Sequence, residues 1–133
     1  MNKNIDLGIL ISRISLGVLM LLHGSAKVLY GLDFIKGMLA QAGVPSFIAY
    51  GVILGEVVAP ILIITGFRSR AAAAIYAANC IVAILLAHST ELFTINQFGG
   101  WTAELLGLYL FGSVALFFTG AGRYSLSDKN NWD

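Results

Sequence analysis

The sequence predicts an all-α integral membrane protein: a four-helix bundle, one domain over residues 1–133, and three observations lead there. Of the 133 residues, 58% are apolar or aromatic by the AVILMFWYC count and 11% are Asp, Glu, Lys or Arg, where an ordinary soluble domain is about 25% charged. The apolar residues gather into windows near 20 residues long, enough to cross a hydrocarbon core of about 30 Å at 1.5 Å per residue. The few ionisable residues inside those windows recur at helical spacing, which puts them on one face, as membrane depth demands.

The first window runs from Leu7 to Leu29. At 100° per residue, Arg13, Gly17, Met20, Gly24 and Lys27 fall within about 80° of one another, with His23 at the edge of that stripe. This face is expected to look inward. Lys3 ahead of an apolar run and the small residues Gly24-Ser25-Ala26 resemble a cleavable leader, but Arg13 and His23 interrupt the run and favour a retained helix. After it, Asp33 can cap a short interfacial helix carrying Phe34, Met38 and Leu39, stopped by Gly43 and Pro45.

The second window spans Phe47 to Phe67 and holds Glu56 near its middle, with Pro60 expected to kink the helix and free a carbonyl close to that carboxylate. The third, Ala71 to His88, contains no Asp, Glu, Lys or Arg. Its Asn79 and Cys80 read as an interhelical hydrogen-bonding group and a small core residue, without a role in a site. The connection over 67–70 is so short that the second and third spans must be antiparallel neighbours. The fourth window is Trp101 to Thr119, with Glu104 one turn from its end.

Charge gives the orientation, because short cytoplasmic loops collect Lys and Arg. Four spans put Lys3, Arg68, Arg70, Arg123 and Lys129 on one side, against Lys36 on the other. Both termini are therefore expected in the cytoplasm. The same scatter of basic residues offers no patch for a phosphate backbone, which excludes nucleic acid as a partner. A lone cysteine, Cys80, excludes an internal disulfide and dithiol chemistry.

Under that topology His23, Lys27, His88 and Glu104 share the outer half of the membrane, and Glu56 lies about 14 Å below its helix's outer end. Arg13 is deeper. It is expected either to form a structural ion pair with Glu56 or to snorkel to the inner headgroups. The candidate ligand site is His23, Lys27, Glu56, His88 and Glu104, two acids and three bases that one structural pair does not need. No metal is expected there, because two histidines and Glu104 are too few ligands. The two histidines are offset in depth by about 9 Å, which fits a slanted slot better than the axial pair of a haem.

The motifs His23-Gly24-Ser25-Ala26-Lys27, Ala42-Gly43-Val44-Pro45 and Gly55-Glu56 come in order, followed by Gly66-Phe67-Arg68-Ser69-Arg70, His88, Glu104 and the tail Gly120-Ala121-Gly122-Arg123-Tyr124-Ser125-Leu126. Together they resemble the DoxX family of small bacterial membrane proteins. The resemblance implies a four-helix fold in the bacterial cytoplasmic membrane and ties to redox physiology, including quinone-linked oxidoreductase complexes. A bound quinone is the expected ligand, held by His or Lys donors and served by protons from His23, Glu56 or Glu104. The sequence shows no flavin or dinucleotide fingerprint and no cysteine set for an iron–sulfur cluster, so electrons are expected from partner subunits or from a bound haem. Beyond the lipid bilayer, those subunits are the expected partners. The competing readings are a non-catalytic accessory subunit and a small transporter, the latter needing a homodimer to supply a second half.

Overall fold

The structure is a computed structural model that describes residues 3–133; Met1 and Asn2, at the start of the expected domain, lie outside the described residues. Helix α1 spans Ile5–Tyr30. The Asn4 side chain starts it by accepting the Leu7 N–H at 3.0 Å, and so satisfies one of the orphan donors of the first turn. Helix α2 covers Asp33–Gln41. Its N-cap is Leu32, with no side-chain cap, so Asp33 is the first helical residue rather than the expected cap; its carboxylate still lies at the positive end of the helix dipole.

Helix α3 runs over Ser46–Thr65 and is irregular. A 3₁₀ turn, Ser46–Ala49, leads into a short α segment, and residues Leu54–Val58 form a π turn before the α-helix resumes at Ala59. Two local causes act here. The Ala59 N–H reaches back five residues to the Leu54 carbonyl, and Pro60 has no N–H to give. Gly66 ends the helix at φ 74, a left-handed turn that a side chain would strain. Helix α4 then begins at once and covers Ser69–Ala87.

Helix α5 is Glu104–Thr119, shorter than the expected window from Trp101. The preceding loop takes those residues: Ile95 and Trp101 form an isolated antiparallel bridge, and the Trp101 indole donates to the Leu92 carbonyl at 2.7 Å. Among the described residues α1, α3 and α4 are long and apolar enough to cross a membrane, while α5 is apolar but only 16 residues.

The core lies where α1, α3, α4 and α5 meet, around Met20, Ile63, Tyr76, Cys80, Tyr109 and Leu116. On α1 the buried residues are Arg13, Gly17, Met20 and Gly24, the stripe read from the periodicity. Glycine is required where backbones touch: a Cβ at Gly24 would run into the Glu56 carbonyl, and one at Gly55 into the Asn79 side chain. Outward faces remain apolar, with Leu29, Leu108 and Phe118 at 77%, 68% and 75% exposure. Such surface belongs against lipid rather than water.

Candidate functional site

Glu56 sits on the π turn of α3 and is 4% exposed. The π turn matters to placement, since an extra residue in the turn rotates the following helix relative to the preceding one and lets Glu56 face α1 and α4 together. From α1, the Lys27 ammonium contacts its Oε1 as a salt bridge. From α4, the Asn79 amide donates to the same oxygen at 3.3 Å. The other carboxylate oxygen, Oε2, is buried and has no hydrogen-bond partner among the described residues.

The expected Arg13–Glu56 pair does not form. Arg13, 1% exposed, donates instead to backbone carbonyls: Nε to Ile63 at 2.8 Å, Nη2 to Ile64 at 2.8 Å, and Nη1 to Ala121 and Tyr124 at 2.7 Å each. The reason is positional. Ile63 and Ile64 lie in the last turn of α3, where carbonyls lack intrahelical partners and the dipole favours a cation. Glu56 is about 10 Å of helix rise away from that end. Neither does Arg13 snorkel, because the chain's own tail folds over it and supplies the remaining acceptors.

Beside the Lys27–Glu56 pair lies a cavity of about 390 Å³. Its walls include Met20, His23 and Lys27 of α1, Glu56 of α3, Ala83 and Ala87 of α4, and Leu105, Leu106 and Tyr109 of α5, with His88 at the end of α4. His23 meets the Tyr109 ring edge-to-face at 6.1 Å, and Tyr109 meets Tyr76 the same way at 6.2 Å. An open groove of about 590 Å³ on the neighbouring face of α1 shares His23, Lys27 and Tyr109 with the cavity. Those three side chains therefore form the partition between the interior and the lipid-facing surface. A smaller chamber of about 150 Å³, roofed by Phe34, Ile35 and Met38 of α2, shares Lys27 and Glu56 with the main cavity.

The structure thus brings His23, Lys27, Glu56 and His88 to one cavity and leaves Glu104 outside it. Glu104 opens α5, is exposed and has its carboxylate against Gly100. His88 has a second contact, its Nδ1 lying 3.0 Å from Oε2 of Glu91. Asn79 is the interhelical donor the sequence suggested, but its place beside Glu56 was not foreseen, and Tyr109 was missed. The signal for both was a polar group inside an apolar run, one on each helix that faces Glu56 or His23. The larger groove between α1 and α5, about 610 Å³, is mostly apolar and is lined by no Asp, Glu, Lys, Arg or His among the described residues, so acid–base chemistry belongs to the smaller cavity.

What the site can do follows from these groups. Lys27 and His23 can donate to a carbonyl, Glu56 can accept from a hydroxyl, and the aromatic edges of His23 and Tyr109 flank a flat ring. The burial of Glu56 strengthens the contacts made to it.

No solved structure matches the chain. Among curated proteins, one named "Putative oxidoreductase CatD", from Bacillus subtilis (strain 168), is 29% identical over 121 residues, covering 91% of this chain and 85% of that protein. The DoxX family model matches residues 8–89, which hold all but the first turn of α1 and the whole of α2, α3 and α4, and with them His23, Lys27, Glu56, Asn79 and His88. With more than half its length under that model, and with the cavity's ion pair inside the matched segment, the chain belongs to the DoxX family.

Proposed function

We propose that this protein is a redox-associated subunit of the bacterial cytoplasmic membrane that binds a quinone or a similar small, flat, apolar molecule in the 390 Å³ cavity, with its outer end open toward lipid. The observation that carries the reading is Glu56: a carboxylate at the middle of a membrane helix, paired with Lys27 through one oxygen, without a partner for the other among the described residues, on a side chain that lines the cavity. A charged pair at that depth costs insertion energy, and such groups are kept where they serve a ligand or proton path. The volume accommodates a substituted single ring, and most of the lining is apolar with few, convergent polar groups, as in small-molecule sites generally. The relative's name, an oxidoreductase, supports the redox association.

Electrons come from partner subunits. This chain's own residues hold the ring and its protons: Lys27 and His23 donate to a ring oxygen, and Glu56 takes or holds a proton within reach of the lipid-facing partition. Orientation follows the basic residues, since Arg68, Arg70, Arg123 and Lys129 cluster with the turn between α3 and α4 and with the tail that folds onto it. Both ends of the chain are then cytoplasmic, the cavity lies in the outer leaflet, and α2 lies along the interface.

The test is a titration of the purified protein in lipid nanodiscs with a short-chain ubiquinone analogue. Saturable, one-to-one binding that His23→Ala weakens at least about tenfold, roughly 1.4 kcal/mol, is the expected result. Binding indifferent to both His23 and His88 substitutions would move the protein to the accessory-subunit reading.

A further inference from the structure

We propose that residues 92–103, between α4 and α5, form a hairpin that seats in the lipid surface at the end of the bundle that carries α2, with Phe93, Ile95 and Phe98 lowered toward the acyl chains. The inference stands apart from the quinone-type reading and needs only that the chain crosses a bilayer. Between Glu91 and Glu104 the sequence has no Asp, Glu, Lys, Arg or His. Within that stretch Phe93, Ile95 and Phe98 are 94%, 73% and 87% exposed. Three large apolar side chains on one short loop, with no charge among them, mark a surface that belongs against lipid rather than in water.

The loop is built to lie there. Ile95 and Trp101 pair across the antiparallel bridge, the Asn96 N–H donates to the Gly100 carbonyl at 2.7 Å, and the Thr102 N–H donates to the Thr94 carbonyl at 3.1 Å. The Asn96 side-chain oxygen accepts the Phe98 and Gly100 N–H groups at 3.0 Å each. Lipid offers no water to such groups, so a segment entering the membrane surface pairs them within itself. Depth follows from α5. Its 16 residues rise about 24 Å, less than a hydrocarbon core of about 30 Å, so the hairpin joined to its first turn begins at the hydrocarbon boundary. Trp101 fixes the hairpin to that turn, since a Cβ at Gly107 would run into its ring, and tryptophan is a residue type that gathers at the membrane interface. Glu91 and Glu104 bound the segment and are both exposed, as charges at that level must be to reach headgroup water. Thr102 and Ala103 line the 390 Å³ cavity, so protein covers that side of the hairpin. Lipid is the occupant that the position dictates for the other side, because a loop starting at the boundary meets the bilayer before any partner.

The experiment places a nitroxide at Phe93→Cys and, separately, at Phe98→Cys in nanodiscs, and compares its relaxation by molecular oxygen, which concentrates in lipid, with that by a water-soluble nickel chelate. Both native side chains are nearly free of packing, so their loss leaves the fold intact. Cys80 is wholly buried, and unsubstituted protein treated alike gives the background. Oxygen is expected to outweigh the chelate at both positions, the reverse of the order at Lys129→Cys in the tail. A chelate effect larger than that of oxygen at either position would put the hairpin in water. Protection from both reagents at either position would mean that protein, such as a second copy of the chain, covers it. Each of these two results would overturn the proposal.

Discussion

At the scale of single residues, the decisive feature is which base meets Glu56. Lys27 and Arg13 share the buried stripe of α1, but Lys27 lies beside the π turn while Arg13 lies at the other end of α3. Lys27→Met strands a buried carboxylate and should cost about 3 kcal/mol, the low end for a broken buried pair because Lys27 is itself a third exposed. Lys27→Met with Glu56→Leu should recover part of that loss in thermal unfolding in detergent. Arg13→Leu with Glu56→Leu should be additive, since the two side chains share no contact. Recovery in the Arg13 pair instead of the Lys27 pair would put the ion pair where the sequence first suggested. The stripe itself was legible, because helical periodicity gives azimuth around one helix and depth along it. The partner was not, because periodicity says nothing of how a neighbouring helix is rotated, and a one-residue π insertion changes that rotation without leaving a pattern in the apolar spacing. Asn79 was legible as an interhelical donor but its partner was not, for a related reason: the close approach of Gly55 and the hydrogen bond to Glu56 depend on how α3 and α4 are rotated.

At the scale of elements, the contacts between α1 and α3 are backbone on backbone. Gly24→Ala would push a Cβ into the Glu56 carbonyl, which Pro60 leaves without its α-helical donor. It should destabilise the bundle by about 1–3 kcal/mol, the usual cost of overpacking, read as a lower melting temperature in detergent with helix content unchanged. The tail is the second element-scale device. Arg13 fastens residues Ala121 and Tyr124 to the end of α3, and Asp133 fastens the tail's last turn to Arg68. Arg13→Leu should speed tryptic cleavage at Arg123 and Lys129 at least about tenfold, corresponding to about 1.4 kcal/mol of lost closure. The Ser127 hydroxyl first, then the Asn130 and Arg68 N–H groups and the Arg68 charge, hold the Asp133 carboxyl below its usual range. Because the folded value is the depressed one, this contribution is complete above about pH 4 and is lost as pH falls through the folded value. Trp132 emission should report an acid loosening of the tail that Asp133→Asn makes shallower. None of this tail closure was legible: the acceptors for Arg13 are backbone carbonyls of an irregular segment, and no residue type marks them.

At the scale of the whole molecule, the spans were readable because hydrocarbon thickness sets their length, and α1, α3 and α4 lie close to the expected windows. The fourth window was shortened because Trp101 and Thr102 pair back onto the loop, with the Thr102 N–H on the Thr94 carbonyl at 3.1 Å. Orientation remains a whole-molecule prediction. Reporters active only in the cytoplasm should work when fused at either end of the chain, and activity of a periplasmic reporter at either end would invert the assignment of the cavity to the outer leaflet. The central claim is that the cavity beside Lys27 and Glu56 is occupied by a ring-shaped ligand. Photolabelling with an azido-quinone, followed by peptide mapping, tests it most directly. The account predicts label confined to the segments carrying His23, Lys27, Glu56 and Tyr109, and competed away by unlabelled ligand. Label spread over the lipid-facing residues of α1 and α5, undiminished by competitor, would contradict it.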